Sequence, residues 1–312
     1  MATTTTVNSN YAGKVAGEII GAAFKEADTL RLGLLTEATN VNYKYNLRKI
    51  QYTDGTVDYT CGFTPQGAVT LSEKVIEPKK VMNPFQICKE DFRQTWSEDA
   101  IGASASNPNA PSDIMEAMQV EVLSSQAAKI DEEIWSGVNA TAGEIGDGLI
   151  VQWAADANVI KANNGITPIG AAITEANVES ELKKVLAAIP VALRRKDLKV
   201  VVSPDVFQAY TFYLISKGIA WNGTADDKQA KFGKYMLTEV NGLPDNTIAV
   251  FEKKNVVFAT GLNADFNEIT LVDEDEIGLL TGQVRGKIVY NGGVGYYNSE
   301  DIVWYLSTTT PA

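Results

Sequence analysis

The chain has 312 residues, of which 45% are hydrophobic, and this is enough for one elaborated domain or two smaller ones with a sizeable core. Its net charge is -12, and its largest basic cluster is the short run Arg194, Arg195 and Lys196. Binding to nucleic-acid phosphates needs a larger basic face, so the charge balance argues against a protein that reads DNA or RNA sequence.

The absence of particular residue types narrows the chemistry further. The sequence contains no histidine, which removes the commonest general base and the commonest metal ligand. Cys61 and Cys88 are not in a CxxC spacing and are expected to be buried free thiols in a reducing compartment. No apolar run is long enough to span a membrane, and residues 1–9 are polar, so we expect neither an anchor nor a signal peptide.

Residues 1–30 are predicted to form an N-terminal arm. Residues 11–27 have apolar side chains at helical spacing, including Phe24, but Gly13, Gly17 and Gly21 recur at every fourth position and weaken the helix. Such a helix needs an external surface to hold it. That surface is either the core of this chain or another subunit.

Between residues 40 and 78 the apolar period changes to two, which is typical of β-strands. Three runs predict an antiparallel ribbon over residues 42–78, with a phase slip at Arg48 and Lys49 and turns at Asp54-Gly55 and at 64–67. The apolar residues of the runs are Tyr43, Tyr45, Leu47, Ile50 and Tyr52 in the first, Val57, Tyr59, Cys61 and Phe63 in the returning second, and Val69, Leu71 and Val75 in the third. A ribbon of this length with one apolar face is marginally stable in water by itself. It must therefore lie on the helices of its own chain or extend across a neighbouring subunit.

Residues 112–137 are predicted to form one long helix. Asp113 and Glu116 resemble a capping box at its start, and Gly137 is a typical terminator. At 1.5 Å per residue such a helix would be roughly 36 Å long, about the width of a small domain. One face is apolar, through Ile114, Met118, Val122, Ala127, Ile130 and Ile134.

A glycine-rich stretch at 137–149 predicts a boundary, after which helices and strands alternate as far as residue 262. A helix is expected after Thr174, and another is expected to open at Ser203-Pro204. Strands are expected at 198–202, 236–240, 248–251, 256–259, 269–272, 278–290 and 302–306. Because the last three follow the α/β segment, we expect them to pair with the segments that precede residue 149.

No group of residues predicts an active site, a metal site or a bound cofactor. The acidic run at 273–276 resembles a calcium loop, but Ile277 and Val284 occupy positions where oxygen ligands are required. Asp131, Glu132 and Glu133 are adjacent on a helix and point apart, which argues against an acid/base pair. The charged turn at 194–197 could bind acidic residues of the next subunit around a symmetry axis.

The order of these elements resembles the major capsid protein of tailed bacteriophages, the Hong Kong 97 fold. The resemblance rests on the ribbon, the long helix running into the junction at 146–149, the segment 199–207 and the turn at 241–245 with the strands after it. It implies an α+β fold with an N-terminal arm (1–30), an extended β-hairpin loop (31–83), a peripheral domain (84–148 and 263–312) with its spine helix at 112–137, and an α/β axial domain (149–262).

The resemblance also implies a function and a set of partners. The expected function is that of a structural protein, not an enzyme, that assembles in the host cytoplasm into the icosahedral shell of a virion. Expected partners are copies of itself in hexamers and pentamers, portal and scaffolding proteins, and packaged dsDNA contacted without sequence specificity; no membrane is expected. The residues expected at contacts between subunits are Tyr43, Tyr45, Tyr52, Tyr59, Phe63, Phe24, Arg194 and Arg195.

Two alternatives remain open at this point. A bacterial compartment of the encapsulin type would share the fold and enclose cargo protein in place of a genome. An α+β enzyme using carboxylates is the other alternative, and it is disfavoured because histidine is absent and no phosphate or metal motif is present.

Overall fold

A computed structural model of the chain describes residues 27–41, 43–59, 61–62, 64–88, 112–162, 166–219, 229–261, 269–275, 277–279 and 281–308. For residues 112–120 only the backbone is described. Residues 1–26 of the predicted arm, with Phe24, therefore lie outside the described residues, and so does the predicted contact residue Phe63.

These residues form two five-stranded sheets, a separate two-stranded ribbon and several helices. In chain order the helices are α1 (Asp28–Arg31), α2 (Ser112–Ser136), α3 (Leu149–Ala155), α4 (Val178–Ala187) and α5 (Pro204–Ser216). The strands are β1 (Thr36–Ala38), β2 (Tyr45–Thr53), β3 (Ala68–Ile76), β4 (Lys79–Cys88), β5 (Leu198–Val202), β6 (Gln229–Phe232), β7 (Tyr235–Glu239), β8 (Thr247–Glu252), β9 (Val256–Thr260), β10 (Ile269–Asp273), β11 (Gln283–Tyr296) and β12 (Ile302–Leu306).

Sheet 1 is built around the long strand β11. One edge of β11 pairs with β10 near its start and with β9 near its end, β1 lies beyond β9, and β4 pairs with the opposite edge of β11. All of these pairs are antiparallel except β1 with β9. Ile288 and Tyr290 of β11 share a core with Ile130 and Ile134 of α2, so the long helix lies against one face of this sheet.

Sheet 2 has the strand order β12-β8-β5-β7-β6, in which only β5 and β7 are parallel. Helices α4 and α5 cover one face of it, through side chains such as Leu182 and Tyr210 that pack with Val200 and Val202 of β5. The predicted α/β character of this segment is thus confirmed, and so is the helix that opens after Ser203.

The predicted long helix is confirmed as α2, and its C-terminal turns lie at the centre of a core shared by both sheets. Trp135 of α2 contacts Trp153 of α3 edge to face, with ring centroids 6.0 Å apart, and both rings contact Phe251 of β8. The indole nitrogen of Trp135 donates to the hydroxyl of Thr29, at 2.7 Å. Asp131 is buried and accepts hydrogen bonds from the amide nitrogens of Thr29 and Gly242. Helix α2 therefore joins α1 to the turn that follows β7.

The predicted partner of the last strand is wrong. Strand β12 pairs with β8 of sheet 2, with Ile302 opposite Phe251, and not with a segment that precedes residue 149. Its side chains alternate between two cores, with Ile302 in the core around α2 and Val303 in the core around α4 and α5. A strand that is buried on both faces needs a sheet with a core on each side, and sheet 2 is such a sheet. The domain boundaries at 149 and 262 stay a prediction.

Lys161 binds the C-terminal end of α3. It is buried, and its ammonium group donates to the carbonyl oxygens of Trp153 at 2.9 Å and Asp156 at 3.0 Å, and also to that of Ala154. A cation at this place satisfies carbonyl groups that the helix leaves free and complements the negative end of the helix dipole. Burial lowers the pKa of this lysine, against the attraction of Asp156.

We expect Lys161→Met to lower the free energy of unfolding by about 2 kcal/mol, because it keeps the apolar stem and removes charge-assisted hydrogen bonds. Chemical denaturation of the unassembled subunit measures this change. Lys183→Met is the control, because Lys183 is an exposed lysine of α4 whose ion pair with Glu179 lies at the surface. Equal effects of the two variants would contradict a special role of Lys161.

Candidate interaction surface

The ribbon consists of β2 and β3, which pair in an unbroken antiparallel register from Tyr45 opposite Ile76 to Thr53 opposite Ala68. The pairing runs through Arg48 and Lys49 without a bulge, so the predicted phase slip lies in the apolar pattern and not in the register. What changes at this point is the face that carries the apolar side chains. The predicted return strand through Val57 and Tyr59 is wrong, since these residues belong to the loop that joins β2 to β3.

The base of the ribbon is anchored in its own chain by apolar contacts. Leu47 and Ile76 are buried in a small cluster with Val41, Val257 and Ala259. The end of β11 fits tightly beneath them, because a Cβ atom placed on Gly295 would lie 2.7 Å from Cγ1 of Ile76. A side chain at position 295 would therefore displace the base of the ribbon.

Polar contacts anchor the same base. Nζ of Lys74 lies 3.3 Å from Oδ2 of Asp156 and 3.6 Å from the centre of the Tyr296 ring. The same oxygen of Asp156 accepts hydrogen bonds from the hydroxyl groups of Tyr296 at 2.8 Å and Ser299 at 2.7 Å. Burial alone would raise the pKa of Asp156, but these donors and the amide of Asn158 hold it well below its usual range. The carboxylate thus stays ionised and keeps its hold on Lys74.

The outer half of the ribbon has an apolar face that the described residues leave exposed. Ile50 lies opposite Leu71, and Tyr52 lies opposite Val69, so the four side chains share one face. Their exposed fractions are 71% for Ile50, 67% for Leu71, 64% for Tyr52 and 67% for Val69. We call this set the ribbon face. Burying a side chain of this size in a contact stabilises it by about 1.5–3 kcal/mol, so the ribbon face is a strong candidate for an interface.

The structure places the predicted contact tyrosines in different environments. Tyr52 belongs to the ribbon face, and Tyr59 is 94% exposed in the loop beyond it. Tyr43 is exposed near the base, whereas Tyr45 packs partly against the anchoring cluster. Their role in contacts between subunits stays a prediction. Cys61 is exposed in the same loop, so the expectation that it is buried is wrong.

Arg194 and Arg195 lie in the turn between α4 and β5. Both are exposed. The guanidinium group of Arg194 donates to the carbonyl oxygens of Ile189 and Ala187, each at 3.0 Å, and so binds the end of α4. The carbonyl oxygen of Arg194 accepts from Nζ of Lys234. These bonds hold the turn in place, and its contact with another subunit stays a prediction.

Charge is distributed unevenly along the chain. Residues 84–148 and 263–312 together contain 20 acidic and 5 basic residues, whereas residues 31–83, which include the ribbon, contain 5 acidic and 7 basic residues. This uneven distribution appears when the charged residues of each segment are counted separately, and the net charge of the whole chain does not show it.

Two carboxylates of α2 are buried, but they do not form an acid/base pair. Asp131 and Glu133 are each 1% exposed, whereas Glu132 faces solvent. Burial raises the pKa of Asp131 and raises that of Glu133 to about 7. Neither carboxylate oxygen of Glu133 has a hydrogen-bond partner among the described residues.

Other classes of site find no support in the part of the chain that is described. No three histidine, cysteine or carboxylate side chains meet there closely enough to hold a metal ion. No helix in the same part is both long and apolar enough to cross a membrane. The exposed ribbon face therefore remains the candidate functional surface.

Comparisons of sequence find no relative: neither a protein-family model nor a curated protein sequence matches the chain. Comparisons of structure do find similar proteins. The capsid of a native GTA particle is similar over 93% of each chain, with a TM-score of 0.61 and 12% sequence identity. The capsid of the cyanophage P-SCSP1u is similar over 97% of this chain and 95% of that one, with a TM-score of 0.52 and 18% identity.

A third similar structure is a compartment protein. The SrpI encapsulin of Synechococcus elongatus PCC 7942 is similar over 93% of this chain and 91% of that one, with a TM-score of 0.53 and 13% identity. Matches that cover nearly the whole length of both chains include the order of the elements, on which the resemblance to phage capsid proteins rests, and they confirm it at the level of the fold. The chain has the mixed α and β fold of these capsid and encapsulin proteins.

Proposed function

We propose that the chain is a major capsid protein, a structural subunit that assembles into the icosahedral head shell of a tailed phage and encloses its dsDNA genome. The observation that carries this proposal is the ribbon face, an apolar surface that is exposed beyond a base anchored in the described part of the subunit. A subunit of a closed shell needs such a surface because each copy must be bound to several neighbours.

The charge of the chain supports the same role. Residues 31–83 contain 7 basic and 5 acidic residues, whereas residues 84–148 and 263–312 contain 5 basic and 20 acidic ones, so contacts between these segments of different copies would be electrostatically favourable. The overall charge of -12 also suits a wall that encloses DNA without binding its phosphates tightly. In this role the chain needs no catalytic site.

The parts of the fold then take the following roles. We assign 1–30 to an arm, 31–83 to the extended loop, 84–148 and 263–312 to a peripheral domain with α2 as its spine, and 149–262 to an axial domain, with β9 crossing into sheet 1 and β12 crossing into sheet 2. The turn with Arg194 and Arg195 would lie near a symmetry axis of hexamers and pentamers. Portal and scaffolding proteins are further partners under this proposal, with assembly in the host cytoplasm and a final location in the virion.

Assembly is tested by expressing the full chain and examining the product by size-exclusion chromatography and electron microscopy. We expect ring-shaped capsomers or closed shells, and the elution volume should change with protein concentration. A protein that stays monomeric at every concentration tested, and that forms no particles in the cells that naturally produce it, would overturn the proposal.

An encapsulin-like compartment is the second candidate, and the similarity to the SrpI encapsulin favours it. The two candidates differ in what the shell contains. Particles isolated from the producing cells are treated with nuclease and then analysed for protected DNA and for enclosed protein. Protected genome-length DNA supports the phage capsid, whereas a single enriched cargo protein without DNA supports the compartment.

A further inference from the structure

Glu133 of α2 is a buried carboxylate for which the proposed function has no use. It is 1% exposed, and neither carboxylate oxygen has a hydrogen-bond partner among the described residues. An ionised carboxylate in such a place is strongly unfavourable unless a cation pairs with it or water reaches it. The surroundings of Glu133 therefore have to respond when the side chain loses its proton.

Three parts of the chain cover this side chain: α2 itself, strand β11 and residues 137–148, which we call the strap. Ile145 of the strap is buried in the same core as Ile134 of α2 and Tyr290 of β11. Burial and, after it, the charge of Glu133 raise the pKa of Tyr290. Glu133 therefore lies where the helix, the strand and the strap meet.

The strap is the cover that opens most easily. Residues 138–143 are exposed, whereas β11 is paired along both of its edges. Within the strap, the amide of Gly148 donates to the carbonyl oxygen of Gly137 at 2.7 Å, and the amide of Asn139 donates to the carboxylate of Asp147 at 2.8 Å. Segments with few buried contacts open locally at the lowest free energy, so water reaches Glu133 most readily through the strap.

The two ends of the strap are fixed to α2. A Cβ atom placed on Gly137 would lie 2.6 Å from the carbonyl oxygen of Glu133, and one on Gly148 would lie 2.6 Å from that of Trp135. Both ends are thus pressed against the helix without room for a side chain. The part between them, with Ile145, is the part that can lift from Glu133 while α2 stays intact.

Charged groups act on Glu133 from the helix and from the strap. Lys129 of α2 forms ion pairs with Glu132 of α2 at 3.4 Å and with Glu144 of the strap at 3.6 Å, so its charge is already engaged. Tyr290 of β11 presents a neutral hydroxyl group. Burial raises the pKa of Glu133 to about 7, against the lowering effects of Lys129 and of a backbone amide in the strap. The neighbouring carboxylates raise it further.

We infer that Glu133 and the strap form a proton-controlled latch: the strap closes over protonated Glu133 and opens to admit water when Glu133 is ionised. The latch borders a cleft of about 960 Å³, which Ile145 lines together with Ile76 and Lys79 at the base of the ribbon. Nζ of Lys79 lies 3.5 Å from the carbonyl oxygen of Asn139 in the strap. Opening breaks this contact, so the same proton affects how firmly the start of β4 is held. The latch belongs to the single subunit and is independent of assembly.

The direction of the response follows from the pKa of Glu133 in the two forms. Under an open strap the side chain is in water and has its usual value of 4.5, against about 7 under a closed one. Below pH 4.5 both forms hold the proton. Between pH 4.5 and 7 the closed form holds a proton that the open form has released, so opening becomes easier as the pH rises. From pH 5 to pH 8 the opening constant should rise on the order of 50-fold.

Hydrogen exchange of the full chain at pH 5 and pH 8, read by mass spectrometry and corrected for the intrinsic effect of pH, tests the latch. In the wild type, peptides covering 137–149 are expected to lose protection on the order of 50-fold between the two conditions. In Glu133→Gln, whose side chain cannot ionise, the loss should stay below about threefold. Glu132→Gln is the control and should behave as the wild type, because Glu132 is exposed. Strand β5 is the internal reference and should keep its protection.

Three results would overturn the latch. The first is a strap whose protection is equal, or equally low, at both pH values. The second is a Glu133→Gln variant with the pH dependence of the wild type, because the responsible group would then be another one. The third is an equal loss of protection in β5, because the whole subunit would then unfold. If Glu133→Gln does not fold, the comparison of the strap with β5 in the wild-type chain decides. Each of these results leaves the proposal of a capsid protein standing, because particle formation is measured separately.

Discussion

An Ile50→Asp, Leu71→Asp double variant is expected to fold normally and to lose assembly into particles altogether. Both side chains are largely exposed in the subunit, so the free energy of unfolding should change by less than about 1 kcal/mol. At a contact between subunits, however, two carboxylates would have to be buried in an apolar surface, which costs several kcal/mol at each contact. A shell repeats that contact in every subunit, so even a modest cost per contact prevents closure. Electron microscopy and size-exclusion chromatography measure the loss, and denaturation of the subunit measures its stability.

The same strands provide a matched control. Gln51 and Thr70 lie opposite each other one residue further along β2, so their side chains are on the other face of the ribbon. Gln51→Asp with Thr70→Asp introduces the same two charges and the same loss of β-propensity, and assembly is expected to persist. If both double variants lost assembly equally, the ribbon face would not be the contact surface. If neither lost it, the ribbon would not contribute to assembly.

Glu133→Gln is expected to stabilise the subunit at pH 8 by about 3 kcal/mol and to change its stability little at pH 4.5. Burial raises the pKa of Glu133 to about 7 from a usual value of 4.5. Below pH 4.5 the carboxyl group is protonated in both the native and the unfolded chain, so the burial of a charge costs nothing. Between pH 4.5 and 7 the native state holds a proton that the unfolded state has released, and the free energy of unfolding falls as the pH rises. Above pH 7 the loss is complete, at about 1.4 kcal/mol for each unit of pKa difference.

The measurement is the difference in unfolding free energy between Glu133→Gln and the wild-type subunit, taken across this pH range by chemical denaturation. Glu132→Gln is the control, because Glu132 is the next residue on α2 and its carboxylate is exposed, in a surface ion pair with Lys129. Its effect should stay below about 1 kcal/mol at every pH. A difference for Glu133→Gln that does not vary with pH would contradict an ionised, unpaired carboxylate in the core.

Local patterns predicted the elements that have strong local signals. The sequence of helix α2 has a pair typical of a capping box, a regular apolar spacing and a glycine directly after the last helical residue, and the predicted bounds differ from the structure by one residue. Strand β5 is a short apolar run after a charged turn, and its predicted bounds agree with the structure. Each of these signals lies within the element itself, so no knowledge of its partners was needed.

The missed elements lack such signals. Helix α3 is a run of seven mostly apolar residues after a glycine, too short and too uniform to show a helical period. Strand β4 contains Pro84, which argues against a strand, but it pairs only with β11 among the described strands, and a proline is tolerated at a sheet edge. The partner of β12 depends on which sheet has cores on both faces, and this is a property of the whole fold.

The surface itself was predicted in part. Tyr52 was expected at a contact between subunits, and its two neighbours Ile50 and Leu71 were placed in apolar runs without a role. The phase slip at Arg48 and Lys49 was predicted because Leu47 and Ile50 are out of phase. The structure gives its reason: the inner half of β2 buries one face against its own chain, and the outer half exposes apolar residues on the other. Residues that act by position, such as Lys74, Lys161 and Glu133, have no distinctive sequence context.

The anchored base of the ribbon has a consequence for the kinetics of association. The base of the ribbon is fixed in the free subunit by Leu47, by Ile76 and by the contact of Lys74 with Asp156. The orientation of the ribbon is therefore fixed before two subunits meet. Binding of two subunits then requires little ordering of the ribbon backbone. Less of the binding free energy is therefore lost to conformational entropy than for a ribbon that is flexible in the free subunit. A subunit with a less firmly anchored ribbon base would associate more slowly with other subunits, even if every contact in the finished particle stayed the same.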